Sequence, residues 1–422
     1  MRKRPRVVIV GGGMAGARLA RALGTAPDGP PVTVLAEERR PAYNRVLLTE
    51  VVAGRYPAET IALPATGKAV DWRAGATARE LDRERRLVRC ADGTELPYEK
   101  LVLATGATPE PAPPADGSAD GSTDDATPHG AHTLRTLDDA LAVAEAARPG
   151  VRAVVVGGGP LGVTAAGALA ARGCAVLLAE RADRLMPGRL DADAATLLRS
   201  RLTDAGVEVR TGLPVRALRT RPEGGGRRGR AVAAVVGADG AERPADLVVA
   251  AGGVRPRTAL ARAAGLALGA GGGVAVDDRL RTSDPDVYAL GDCAEHAGRL
   301  YGLAVPAQEQ ADVLADVLTG GPARYAGTRS LTRLCLTSPD GDAFDLAAFG
   351  APEAAPGDDV VRLADATRGA YRKVVVRGDR LRGGVLVGDL GGVGTLARAW
   401  EGDEPLPDDA PLLHLLTDDG GL

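Results

Sequence analysis

Cysteine is scarce. Cys90, Cys174, Cys293 and Cys335 are the four in a chain of 422 residues, and no pair of them has CxxC or CxxxxC spacing. That excludes a disulfide framework, a zinc ribbon, an iron–sulfur cluster and a dithiol redox centre, and it fits a reducing, cytoplasmic location. Histidine is equally sparse: His129, His132, His296 and His414 form no recognisable ligand set. No run of roughly 20 apolar residues exists, so no helical span of a membrane is expected. The net charge of −3 gives no reason to expect wholesale attraction to nucleic acid or to a membrane surface. Aromatic residues make up only 3% of the chain. Beside the abundance of Ala, Gly and Arg, that shortage reads as base composition and carries no functional meaning. The start, Met1-Arg2-Lys3-Arg4 before an apolar stretch, has the outline of a secretory signal. Gly11-Gly12-Gly13 breaks the apolar core, and Arg18 and Arg21 follow, so the signal is rejected.

What is present is a pattern that occurs twice. Val7–Val10 is a β-branched run ending in glycines and reads as a buried parallel strand. Helical periodicity follows over Met14–Leu23, then a second strand over Val32–Leu35. The same order recurs at Val154-Val155-Val156, Leu161–Ala171 and Ala175–Ala179, so a β-turn-helix-β unit is duplicated. Leu101–Gly106, Asp246–Ala251 and Val287–Leu290 add further buried strands. From about Gly327 short strands separated by Gly, Asp and Pro predict a small antiparallel sheet: Ser330–Thr337, Phe344–Phe349, Asp359–Leu363, Tyr371–Arg377 and Leu381–Val387. A helix is expected over Gly394–Trp400. Two polar stretches, Pro109–Pro128 and Pro222–Arg230, read as surface insertions, and the arginines of the second as a solvated hairpin tip.

Each repeat carries the same glycine spacing at the strand-to-helix turn. Gly11-Gly12-Gly13-Met14-Ala15-Gly16 places the first glycine at the tight turn, the second where backbone must approach a pyrophosphate, and the third where helix packs on strand. The pyrophosphate then rests on the positive helix terminus. Glu37 closes the second strand, placed to accept from ribose hydroxyls. Gly157-x-Gly159-Pro160-Leu161-Gly162, ending at Glu180, repeats every element. A carboxylate at Glu180 repels the 2′-phosphate of NADPH and favours NADH, a preference that the neighbouring Arg181 and Arg184 soften. Two dinucleotides on one chain imply hydride transfer between a nicotinamide and a flavin.

Further motifs carry a resemblance. Ala104-Thr105-Gly106 and Tyr288-Ala289-Leu290-Gly291-Asp292 resemble the additional FAD-binding segments of flavoprotein reductases with two dinucleotide domains. Ala42-Tyr43-Asn44-Arg45 through Glu50 lacks the redox cysteine of the disulfide reductases. It is similar instead to the flavin module of the large subunit of NADH-dependent nitrite reductases and to the electron-transfer subunit of assimilatory nitrate reductase. Gly291-Asp292-Cys293-Ala294-Glu295-His296, Tyr301-Gly302-Leu303 through Gln310, and Tyr371-Arg372-Lys373 through Gly388-Asp389 extend the likeness over nearly the whole chain. Ferredoxin reductases are similar too, although Thr49-Glu50 replaces their Ser-Lys pair and Gly302–Gln310 lacks their Trp.

The resemblance implies an α/β fold of the glutathione-reductase type: two Rossmann-like dinucleotide-binding domains and a small C-terminal α+β interface domain. Residues 1–110 and 245–326 are assigned to FAD, 111–244 to NADH and 327–422 to the interface domain. By position Asp292 bonds the ribityl chain, Arg45 and Arg135 contact the flavin or its phosphates, and Ala78, Val305 and Gly253 join the cofactor-binding set. Cys293, with no partner cysteine nearby, reads as a small buried residue beside FAD. The expected function is to pass a hydride from NADH to FAD and then single electrons to a separate iron–sulfur or haem protein. That acceptor would be ferredoxin-like, or a nitrate or nitrite reductase subunit. No cysteine-rich module or sirohaem domain occurs before Leu422, so the chain itself is not expected to reduce nitrite. Two other readings stand beside this one: an NADH oxidase or peroxidase, and an NADH-sensing binding module with slow turnover. Monomer and homodimer both stay open.

Overall fold

A computed structural model describes residues 6–27, 29–67, 69–115, 127–222, 229–329, 331–337, 343–365, 367–406 and 412–417. The centres of both polar stretches, 116–126 and 223–228, lie outside the described residues, and with them the expected arginine-bearing hairpin tip. Two compact units emerge: Met1–Leu47, Ala58–Thr108 and Val254–Thr328 form the first, and Leu48–Pro57, Pro109–Gly253 and Arg329–Leu422 the second.

In the first unit, Val7–Val10 is buried at all four positions and forms the centre of a five-stranded sheet. It pairs in parallel with Val32–Ala36 on one side and Lys100–Leu103 on the other, with Val7 opposite both Val32 and Lys100. Val70–Ala74 and Val287–Ala289 complete the edges, also in parallel. A strand buried on both faces needs a continuous apolar run rather than an alternating one, which Val-Val-Ile-Val supplies. The Met14–Thr25 helix buries Leu19, Ala20 and Leu23 against this sheet. A second helix, Ala304–Leu318, buries Pro306, Ala307, Gln310, Ala311, Leu314 and Val317, the three- and four-residue spacing of one helical face.

The second unit repeats the plan. Arg152–Val156 is the central strand, paired in parallel with Ala175–Ala179 and Leu247–Ala250. Val207–Arg210 and Ala131–Thr133 extend that sheet to five strands. This corrects one expectation: the strand assigned to the start of the second FAD segment, at residues 245–251, belongs to the second unit. Its register, Ala153 opposite Leu247 through Val156 opposite Ala250, fixes it there.

The same unit contains the C-terminal sheet, five antiparallel strands in the order Thr332–Thr337, Ala343–Gly350, Arg380–Gly388, Ala370–Arg377 and Asp359–Asp365. Ala370–Arg377 is buried on both faces, and its period of two separates them. Val374 and Val376 turn into a core with Phe349, Leu386 and Leu396 of the Val393–Glu401 helix. Tyr371 and Lys373 turn the other way, to Asp191. Arg329–Leu422, nearly all of the segment expected as a C-terminal domain, clusters in the same compact unit as Pro109–Gly253.

Candidate functional site

Two helices start on a glycine turn that directly follows a buried parallel strand, and they differ at their first turn from Leu137–Ala146 and Ala192–Asp204. Leu137–Ala146 is capped by a box in which Thr136 accepts from the Asp139 N–H and Asp139 accepts in return, and Ala192–Asp204 is capped by Asp191. Met14–Thr25 and Pro160–Ala171 begin at Gly13 and Gly159, with no side-chain cap and no acidic residue in the first turn. Uncapped N–H groups and the positive end of the helix dipole are the seat that a pyrophosphate fits.

The glycines divide into two kinds. Gly11 has φ +122°, and a Cβ there would lie 2.1 Å from the Ala104 carbonyl oxygen, while one on Gly16 would lie 2.0 Å from the oxygen of Gly11. Gly157 and Gly162 repeat this, with contacts of 2.5 Å to Ala251 and 1.8 Å to Gly157. These four are required by the chain's own packing. Gly13 and Gly159 are not. A Cβ on Gly13 meets nothing nearer than the Arg45 guanidinium at 3.8 Å, and one on Gly159 meets nothing within 4 Å. The space that a side chain would fill at these positions lies over the helix terminus. The residues present therefore fit a dinucleotide at each turn.

Around the first turn, Arg45 is held over Gly13. Its guanidinium pairs with Glu38, lies 5.1 Å from the centroid of the Tyr43 ring, and shares Glu38 with the Tyr43 hydroxyl at 2.6 Å. A cation fixed beside an expected pyrophosphate supplies charge without reorganisation. Glu37 follows directly on the Val32–Ala36 strand and pairs with Arg257 at 2.6 Å. The Arg257 N–H donates to the Gly106 oxygen at 2.9 Å, and the Thr105 hydroxyl donates to the Arg257 oxygen at 2.6 Å. Arg257 thus ties the Ala104-Thr105-Gly106 turn to Glu37. Sequence reasoning missed it, because nothing in Val254-Arg255-Pro256-Arg257 marks one of its two arginines over the other.

Asp292 stands on the short Gly291–Cys293 turn, half-buried. Gln310, 1% exposed, accepts the Gly291 N–H at 2.7 Å and fixes that turn. Its role was missed, because the sequence marks it only as the end of the Tyr301–Gln310 stretch. Cys293 is fully buried, its thiol directed at the Leu103 and Leu290 oxygens at 3.4 and 3.3 Å, and burial pushes its pKa up. Ala78 begins the Ala78–Asp82 strand, and Val305 lies in the first turn of Ala304–Leu318, 47% exposed.

In the second unit Glu180 is 6% exposed. One carboxylate oxygen accepts the Gly158 N–H and the other the Ala182 N–H at 2.7 Å. The residue expected to read a ribose is therefore also the brace of its own glycine turn. Arg181 is exposed, and Gly253, at φ +127°, gives its oxygen to the Glu110 N–H at 2.9 Å. Arg135, expected at the flavin, lies in this unit just before the Leu137–Ala146 helix, its N–H donating to Asp139 at 2.8 Å. Among the described residues no group of His, Cys, Asp and Glu is arranged to hold a metal, and no helix is long and apolar enough to cross a membrane.

Comparison with known proteins agrees with this geometry. The family described as pyridine nucleotide-disulphide oxidoreductase matches residues 5–311. The chain is 37% identical over 383 residues to the nitrite reductase [NAD(P)H] large subunit of Klebsiella oxytoca, covering 89% of this chain and 38% of that one. It is 30% identical over 399 residues to the assimilatory nitrate reductase electron transfer subunit of Bacillus subtilis, covering 92% and 48%. It thus spans less than half the length of these two relatives. Among solved structures, the covalent putidaredoxin reductase–putidaredoxin complex superposes with a TM-score of 0.81 at 26% identity, over 98% of both chains.

Proposed function

The chain belongs to the pyridine nucleotide-disulphide oxidoreductase family, and on that premise we propose that it is an NADH-dependent electron-transfer flavoprotein serving a separate redox protein. As an oxidoreductase of this family it uses FAD and NAD(P)H. The acceptor in this reading is an iron–sulfur or haem protein: a nitrite or nitrate reductase component, or a ferredoxin. The observation that carries it is the repeated pair of uncapped helices whose central glycines, Gly13 and Gly159, nothing in the protein itself requires. The names of the relatives, a nitrite reductase subunit, a nitrate reductase electron transfer subunit and a reductase joined to putidaredoxin, support a protein acceptor.

When bound, FAD would supply the redox chemistry between the nicotinamide and the acceptor. The protein's own residues bind and orient. The first-turn N–H groups after Gly13 and the Arg45 guanidinium would neutralise pyrophosphate charge, and Glu37 would receive ribose hydroxyls. Gln310 and Arg257 fix the Gly291-Asp292 and Thr105-Gly106 turns, which in this reading would border the flavin. The second glycine turn, braced by Glu180, seats NADH in the same manner. No acid–base side chain is required for hydride transfer, so the contribution of the chain is position and electrostatics.

Steady-state oxidation of NADH with a ferredoxin, a rubredoxin, cytochrome c or oxygen tests this. Fast turnover is expected only with a protein acceptor. Equally fast turnover with oxygen alone would move the chain to the oxidases, and failure of NADH to bleach the flavin would leave only the sensing module.

A further inference from the structure

We propose that Glu353, on a loop of the C-terminal sheet, sets the nucleotide preference of the second glycine turn by holding Arg184 away from the 2′-phosphate of NADPH. The proposal rests on the reading of that turn as the NADH site.

Glu180 follows directly on the strand Ala175–Ala179, where the acid that reads the ribose stands in such units. Its two oxygens are engaged by the Gly158 and Ala182 N–H groups, so its charge is already partly compensated by the backbone. That makes it a weaker barrier to a phosphate than the sequence suggests. The segment after it folds back over the same turn, with the Met186 N–H donating to the Gly158 oxygen at 2.9 Å. Arg184 is carried on this segment. Between Glu180 and Arg184 two acids and two arginines cancel.

Glu353 tips this corner negative. Its carboxylate lies 3.0 Å from Arg184 Nη2, while Arg184 Nε is buried and has no hydrogen-bond partner among the described residues. The guanidinium is thus drawn to Glu353 by Nη2 while its Nε donor is left unsatisfied, so Glu353 is the carboxylate that positions it. The loop bearing Glu353 is anchored at its start. The Ala351 N–H donates to the Arg382 oxygen at 3.0 Å, and a Cβ on Gly383 would lie 2.4 Å from the oxygen of Ala351. Glu353 is therefore a positioning residue: it acts on the 2′-phosphate through Arg184.

The test compares kcat/KM for NADPH and NADH, and the affinity for 2′,5′-ADP, in Glu353→Gln. The side chain is 54% exposed, so the fold should tolerate the change. A rise of about 5- to 10-fold in the NADPH:NADH ratio is expected, with tighter 2′,5′-ADP binding and kcat for NADH near that of the parent. Glu353→Asp should retain the parent ratio, and Arg184→Ala in the Gln background should abolish the gain. An unchanged ratio with intact NADH kinetics would overturn the proposal, as would a gain that survives Arg184→Ala. If NADH fails to reduce the parent flavin, the assignment of the site itself fails, which is a different result.

Discussion

The ammonium of Lys373 lies 2.8 Å from the carboxylate of Asp191, 182 positions earlier in the chain, and the Tyr371 hydroxyl donates to the same oxygen at 2.6 Å. Asp191 also caps the Ala192–Asp204 helix by accepting from the Ala194 N–H at 3.1 Å. One buried carboxylate thereby joins the C-terminal sheet to the Ala192–Asp204 helix of the same unit. Tyr371 and Lys373 reach it together because residues two apart in a strand share a face.

Removing one partner should be far worse than removing both. Lys373→Met leaves the Asp191 charge buried and uncompensated, with an expected loss of about 3–5 kcal/mol. Adding Asp191→Asn to it removes that charge and should recover part of the loss. Urea unfolding of the single and double variants checks this, and equal midpoints would mean that the pair is decorative.

The same carboxylate predicts a pH dependence. Burial raises its pKa, but hydrogen bonds from Lys373 and Tyr371 outweigh burial, and the net shift is downward. A depressed folded-state pKa contributes stability above the unfolded value of about 3.9 and loses it as pH falls through the folded value. The stability of the second unit should therefore fall below about pH 4, and Asp191→Asn should flatten that acid slope. Thermal melts between neutral pH and pH 3 would show it.

Gly13 and Gly16, three residues apart, should fail in different ways. Gly13→Val places a side chain only where a pyrophosphate would lie, so colourless but folded protein is expected. Gly16→Ala drives a Cβ against the Gly11 oxygen and should cost about 1–3 kcal/mol of stability. The ratio of flavin to protein absorbance, read beside the melting temperature, separates the two, and a full flavin complement in Gly13→Val would refute the first-turn assignment.

Glu180→Ala should strip the acceptor from two backbone N–H groups, at a cost of about 1–3 kcal/mol for each one left buried and unsatisfied. Loss of the brace should raise KM for NADH and NADPH alike, with a narrowed preference superimposed on it. A change in preference with neither KM for NADH nor stability affected would mean that Glu180 reads the ribose and braces nothing.

Thiol chemistry gives a further check. Cys90, Cys174 and Cys293 are buried and Cys335 is exposed, so a thiol reagent should modify one cysteine in the native protein and all four after denaturation. Cys293→Ser should keep flavin reduction by NADH; its loss would give the thiol a role beyond filling space.

The sequence by itself determined the duplicated unit, because a buried parallel strand, a glycine turn and a helix are local patterns within 30 residues of one another. Gly11, Gly13 and Gly16, and their counterparts Gly157, Gly159 and Gly162, could be placed from spacing alone. So could the C-terminal strands, within one or two residues of their ends. What only the tertiary structure decided were the contacts that join distant segments. Arg257 meets Glu37 across 220 positions, Gln310 reaches Gly291 across 19, and Lys373 finds Asp191 across 182. The parallel register assigned the strand at Leu247–Ala250 to the second sheet, and no local pattern distinguishes one five-stranded parallel sheet from another. Glu180 shows the difference within one residue. Its position as an acid at the end of a strand was legible, whereas its bonds to Gly158 and Ala182 exist only once the turn has folded back upon it.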